Sequence, residues 1–190
     1  MRLRWLAGLL VLGLASASLS ATVLVPAEFK EIVSDAALIV RGRVTDVRGV
    51  VTQTRGVESI ATVAVDLTLK GSAPEFISIT VPGGTVGRFT TRMVGAPVLR
   101  AGQQAVFFVK RDDRNTWRPV GLSMGVVPVR GDAVTGAPVV APPVVLGQTT
   151  DAGPVVRGDA RRKTMGVASF ESLVRLVMAG QSAAVSRGTR

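Results

Sequence analysis

Residues 57–71 read VESIATVAVDLTLKG, followed by SAPE (72–75) and FISITVPGG (76–84). In the first stretch Val57, Ser59, Ala61, Val63, Val65, Leu67 and Leu69 share one side of an alternating pattern. Glu58, Thr62, Asp66, Thr68 and Lys70 take the other, with Ile60 and Ala64 as apolar exceptions. Side chains alternate across a strand, so this predicts a half-buried strand with an apolar inner face. Ile77, Ile79 and Val81 against Ser78 and Thr80 repeat the pattern after the tight connection Gly71–Glu75.

Downstream, Pro82-Gly83-Gly84 ends the second strand and residues 85–103, TVGRFTTRMVGAPVLRAGQ, read as one long loop. Ala105–Val109 is apolar without alternation, which predicts burial on both faces. Arg111–Asn115 is a polar hairpin turn. WRPVGL, starting at Trp117, is a further strand, Gly125–Val129 another, and a weak last one lies near Val139. Upstream, Leu38–Val47 is a strand with Leu38, Val40, Gly42 and Val44 on one face and Arg41, Arg43 and Thr45 on the other. Gly42 marks a bulge or bend, and residues 49–56 form the loop into the next strand. Phe29, Ile32, Val33 and Ala36 fall at helical spacing behind Pro26, predicting a short amphipathic helix.

The ends of the chain differ in character. MRLRW, LAGLLVLGLA and SASLSA are a basic start, a short apolar run and small residues, the layout of a secretory signal peptide over 1–21. Cleavage is expected after Ala21, with Ala17 as a second site, and the mature chain is expected in the periplasm or the medium. Residues 22–140 form the β-barrel domain and 141–165, rich in Pro and Gly, a surface linker. Residues 166–180 form a helix with Phe170, Leu173, Val174 and Val177 on one face. Ser169 is its expected N-cap and Gly180 its stop, leaving 181–190 as a flexible tail. The fold class is therefore all-β: an OB-like, closed or partly closed barrel with a short N-terminal helix and a C-terminal helix. An aligned sandwich is the alternative.

Composition narrows the chemistry. The 190 residues are 47% hydrophobic and 19% charged, which fits one globular domain and argues against disorder. There is no Cys and no His, so disulfides, thiolate or imidazole metal sites and His-based catalysis are excluded. The formal net charge of +10 predicts salt-dependent attraction to anionic surfaces. Gly121-Leu122-Ser123-Met124-Gly125 matches a nucleophile elbow, but a strand rather than a helix follows and the chain has no His to serve as base. Pro82–Gly87 resembles a phosphate loop without the helix such a loop opens. Asp112 and Asp113 sit at a turn with no further acids nearby, and no cofactor is expected.

The expected site is a binding surface: Arg88, Phe89, Arg92 and Arg100 on the long loop, with Arg111, Arg114 and Trp117 at the neighbouring hairpin. Apolar anchors ringed by Arg are what interfaces use. The alternative is that Phe89, Met93, Val94, Val98 and Leu99 plug one end of the barrel. With aromatics at 4% there are few stacking platforms, which argues against nucleic acid; the expected partner is a protein or an acidic envelope component.

TVLVPAEFKEIVSDAALIVRGRV, ATVAVDLTLKG, FISITVPGG, GAPVLRAGQQAVFFVK and WRPVGLSMGVVPV together resemble a family of uncharacterised bacterial exported proteins. ALIVRGRV followed by VDLTLKG is similar to the start of netrin-like and tissue-inhibitor-of-metalloproteinase modules, which implies a five-stranded OB barrel with flanking helices. Those inhibitors chelate the protease zinc through an N-terminal Cys. This chain has none, so no functional residue carries over. The readings are thus an exported non-catalytic binding module, a metalloproteinase-inhibitor-like module, and a serine hydrolase using Ser123.

Overall fold

The computed structural model describes residues 29–53, 56–140 and 164–188. The expected signal peptide and nearly all of the 141–165 linker lie outside them. In chain order the elements are α1 (Phe29–Asp35), β1 (Leu38–Val51), β2 (Val57–Lys70), β3 (Phe76–Pro82), β4 (Gly84–Val86), β5 (Phe89–Thr91) and β6 (Gln104–Arg111). Then follow β7 (Trp117–Pro119), a 3-10 turn (Leu122–Gly125), β8 (Val126–Gly131), β9 (Pro138–Val140), β10 (Met165–Gly166) and α2 (Val167–Gly188).

Five strands close on themselves in the order β1-β2-β3-β7-β6, and β6 returns to β1. Neighbours are antiparallel except β3 and β7, which meet in parallel where Ile79 faces Trp117. This is a closed OB-type barrel, as the alternation predicts, and not a sandwich. Its strands are staggered. Leu38 faces Val109, which faces Pro119. On the far side of the parallel seam Val81 faces Ser59 and Ser59 faces Gly49. One circuit thus returns to β1 at Gly49 rather than at Leu38, the shear that tilted strands need to close a barrel.

Closure divides the apolar residues into two cores. The barrel interior holds Leu38, Val40, Val44, Ala61, Val63, Ile77, Ile79, Val81, Leu99, Ala105, Phe107, Val109 and Val126. A second core lies outside the barrel wall, where α1 and α2 cover Ile39, Val106, Phe108 and Val127 with Phe29, Ile32, Val33, Phe170 and Val174. β1 and β6 are therefore buried on both faces, which explains the unbroken apolar run 105–109. Phe29, Phe108 and Phe170 pack together with ring centroids 5.9 to 6.3 Å apart. Arg41 on the outer face of β1 reaches Glu171 of α2. Lys70 Nζ donates to the Val33 and Ser34 carbonyls at the end of α1 (2.7 and 3.0 Å). Burial lowers the pKa of Lys70 against the opposing pull of Asp35.

Several sequence expectations need correction. β1 does not end at Val47; it runs through Val51, so the following loop starts at Thr52. Leu67 and Leu69 do not continue the inner face of β2. The β1–β2 register shifts beside Gly42 and again beside Val40, and each extra residue on β2 reverses the alternation. Leu67 then faces Arg41, and Leu69 joins the outer core. Gly42 sits beside the first shift, where a Cβ would overlap the Ala64 carbonyl oxygen; the partner backbone comes too close for any side chain. α2 begins at Val167, so Ser169 lies inside its first turn, and it runs past Gly180 to Gly188. The expected 181–190 tail is helical as far as it is described. An exposed glycine is tolerated in a helix that gains its stability from docking.

Candidate binding surface

The segment between β3 and β6 is not a plain loop. β4 and β5 pair as a small hairpin, Gly84 with Thr91 and Val86 with Phe89. β4 crosses the end of β1 at Gly49, where a Cβ would strike the Thr85 carbonyl oxygen. Around the hairpin the segment is pinned repeatedly. Gly83 N donates to Val57 O (2.9 Å) and Ser59 Oγ to Gly83 O (2.8 Å). Ser123 N donates to Gly95 O (3.0 Å), and Gly102 N to Val44 O (2.8 Å). Leu99 is buried in the barrel core.

Between these pins the apolar residues divide. Leu99 plugs the barrel, whereas Phe89, Met93, Val94 and Val98 are 63, 53, 93 and 71% exposed. The plug reading thus holds for Leu99 alone. Arg88, Arg92 and Arg100 interleave with the exposed four, and Arg88 lies over the Phe89 ring at 5.3 Å. From Phe76 to Arg111 the sequence contains no Asp or Glu. These are exposed apolar side chains on a tethered segment that carries arginines and no acid of its own.

Arg100 and the hairpin lie at opposite ends of β6, whose ends Gln104 and Arg111 are roughly 23 Å apart at about 3.3 Å per residue. Arg111 is moreover committed locally: Nη1 donates to Asn115 O (2.6 Å), and its guanidinium stacks over Trp117 at 4.2 Å. Trp117 packs against the barrel core. Arg118, absent from the expected site, joins Asp112 (2.5 Å) to Glu58 (2.8 Å). Asp112 also accepts from Arg114 N and Thr116 N. The Arg118 hydrogen bond, aided by the Thr116 amide, holds the Asp112 carboxyl below its ordinary pKa. Asp112 is thus a structural anchor of the turn. Arg114 is exposed at the tip. Of the expected surface, Arg111 and Trp117 are thus stacked on one another, and Arg100 lies beyond the opposite end of β6.

Ser123 lies in the 3-10 turn between two strands, after Gly121 and Leu122 in the left-handed region (φ 61 and 58). No hydrogen bond from its hydroxyl occurs among the described residues. None of the described residues gather as three or more His, Cys, Asp or Glu able to hold a metal, and no described helix is long and apolar enough to cross a membrane. Sequence reasoning missed Arg43 and Arg130, which line a cleft with Arg100. They sit on different strands, and no local pattern links them. No protein-family model matches this chain, and no curated protein matches it.

Proposed function

We propose that this chain is an exported, non-catalytic binding module whose barrel presents residues 83–103 to an acidic protein or envelope component. One observation carries the reading: four large apolar side chains stand exposed on a segment pinned to the barrel, among arginines and without any acid from residue 76 to 111. Exposed apolar groups clustered in this way mark interaction sites. Pinning lowers the ordering cost of binding. The metalloproteinase-inhibitor-like alternative is supported by barrel topology alone, which is analogy. Ser123 as a nucleophile has neither a base nor the strand–turn–helix setting to support it.

The test is affinity capture from envelope extract with the full chain, its R88S/R92S variant and its F89S variant as baits. A specific partner is retained by the wild type, released as salt rises, and lost by both variants at unchanged melting temperature, because exposed charges contribute little to stability. A partner held equally by all three baits refutes the assignment.

A further inference from the structure

A cleft of about 520 Å3 opens where the end of the 83–103 segment meets the barrel wall, and three arginines from three segments line it: Arg43 of β1, Arg100 of the segment and Arg130 of β8. Register puts them there. Arg43 faces Gln104 across β1–β6, and Gln104 faces Val129, the neighbour of Arg130, across β6–β8. Two residues earlier on the same face, Arg41 is neutralised by Glu171 of α2; Arg43 is exposed. Among the described residues none of the three has an ion pair, and no carboxylate lines the cleft.

The polar atoms around them are also donors. Arg43 Nη1 donates to Gly102 O (3.1 Å), which steadies the side chain and leaves most of its guanidinium donors uncommitted. Gln103 Oε1 accepts from Arg100 N (3.2 Å), so its amide NH2 remains to donate. Gln104 adds a second amide. Val98, on the same wall, is 71% exposed and offers an apolar contact.

We propose that this cleft binds the phosphate group of a ligand. Three arginines lining one cleft without counter-charge favour an anion of more than one charge. A phosphate monoester carries about −1.5 to −2 and three strong acceptor oxygens, which match several Arg forks and amide donors at once. A lone carboxylate offers two oxygens and one charge. The volume lies within the roughly 300–1,000 Å3 of small-molecule sites. The phosphate monoester belongs either to a soluble ester or to a phosphatidic acid headgroup. The inference rests on the proposed function only in sharing Arg100 with the loop patch.

The experiment uses the full chain. Inorganic phosphate and glycerol 3-phosphate are titrated by calorimetry, and phosphatidylcholine vesicles with and without phosphatidic acid are tested by co-sedimentation. R43Q/R100Q/R130Q is compared with R48Q/K110Q/R175Q, which removes equal charge at exposed positions outside both the cleft and the loop patch, and circular dichroism checks both folds. The cleft variant should lose about tenfold or more in affinity while the control stays within about threefold, since charge-assisted bonds are lost only in the former. Binding of the soluble probes identifies a soluble ligand; binding of phosphatidic acid vesicles alone identifies a headgroup. Equal losses in both variants, or no binding of any probe, overturn the proposal. If the triple variant does not fold, R100Q and R130Q, each at an exposed side chain, carry the same comparison. Phosphate binding indifferent to R43Q/R130Q, beside a protein partner lost with R88S/R92S, refutes the cleft and leaves the loop reading standing. The converse result does the opposite.

Discussion

Truncating Phe170 to Ala tests whether the C-terminal helix is part of the fold or an appendage. The ring is fully buried and meets Phe29 of α1 and Phe108 of β6 at 5.9 and 6.3 Å between centroids. Phe→Ala in a core costs about 3–5 kcal/mol, depending on how far the site collapses. Collapse is restricted here, because one side of the cavity is barrel wall hydrogen-bonded on both edges of β6. The loss should therefore fall at about 4 kcal/mol, against a typical domain stability of about 5–15 kcal/mol. Urea unfolding followed by far-ultraviolet circular dichroism would read it as a midpoint lowered by roughly 2 M, taking a slope of about 2 kcal/mol/M. A loss below about 1 kcal/mol, in the range of surface changes, would mean that α2 is not clamped to the barrel.

Gly42→Ala should destabilise by about 1–3 kcal/mol, because the new methyl meets the Ala64 carbonyl and Val63. Gly180→Ala, in open space within α2, should stabilise by about 0.5–1 kcal/mol; thermal melts of both should move in opposite directions. Asp112→Asn tests the hairpin clamp through pH. The native carboxyl titrates below its ordinary 3.8, so its contribution is complete above that pH and is lost as pH falls through the folded value. The melting-temperature gap between wild type and Asp112→Asn should narrow from pH 5 towards pH 2, and a constant gap would refute the clamp.

Strand existence was legible from the sequence wherever alternation held, and the two-sided burial of β6 was legible from the unbroken apolar run 105–109; closure was not, because a strand buried on both faces also fits a sandwich. The irregularity beside Gly42 was legible from the glycine itself, but its effect on the partner strand and the second shift beside Val40 were not: period-two reading of β2 assumes no extra residue, so it carried Leu67 and Leu69 to the wrong face. The β4–β5 hairpin escaped because its strands are three residues each, too short for alternation to register, and Phe89–Thr91 are exposed throughout. In the site, the loop patch was readable from composition. The commitment of Arg111 to Trp117 was not, nor was the meeting of Arg43, Arg100 and Arg130, because strand pairing rather than sequence proximity decides both.

The double burial of β1 has a consequence for the order in which the chain is made. β1 is synthesised early, yet its inner face and one edge wait for β6, more than sixty residues later by the pairing of Leu38 with Val109. Its outer face waits for Phe170 and Val174. Until then Leu38, Ile39 and Val40 form an apolar, uncharged ribbon with an unpaired edge, the kind of segment that recruits other strands. Arg41 and Arg43 follow it directly, and their charges discourage such pairing while the partners are still being added.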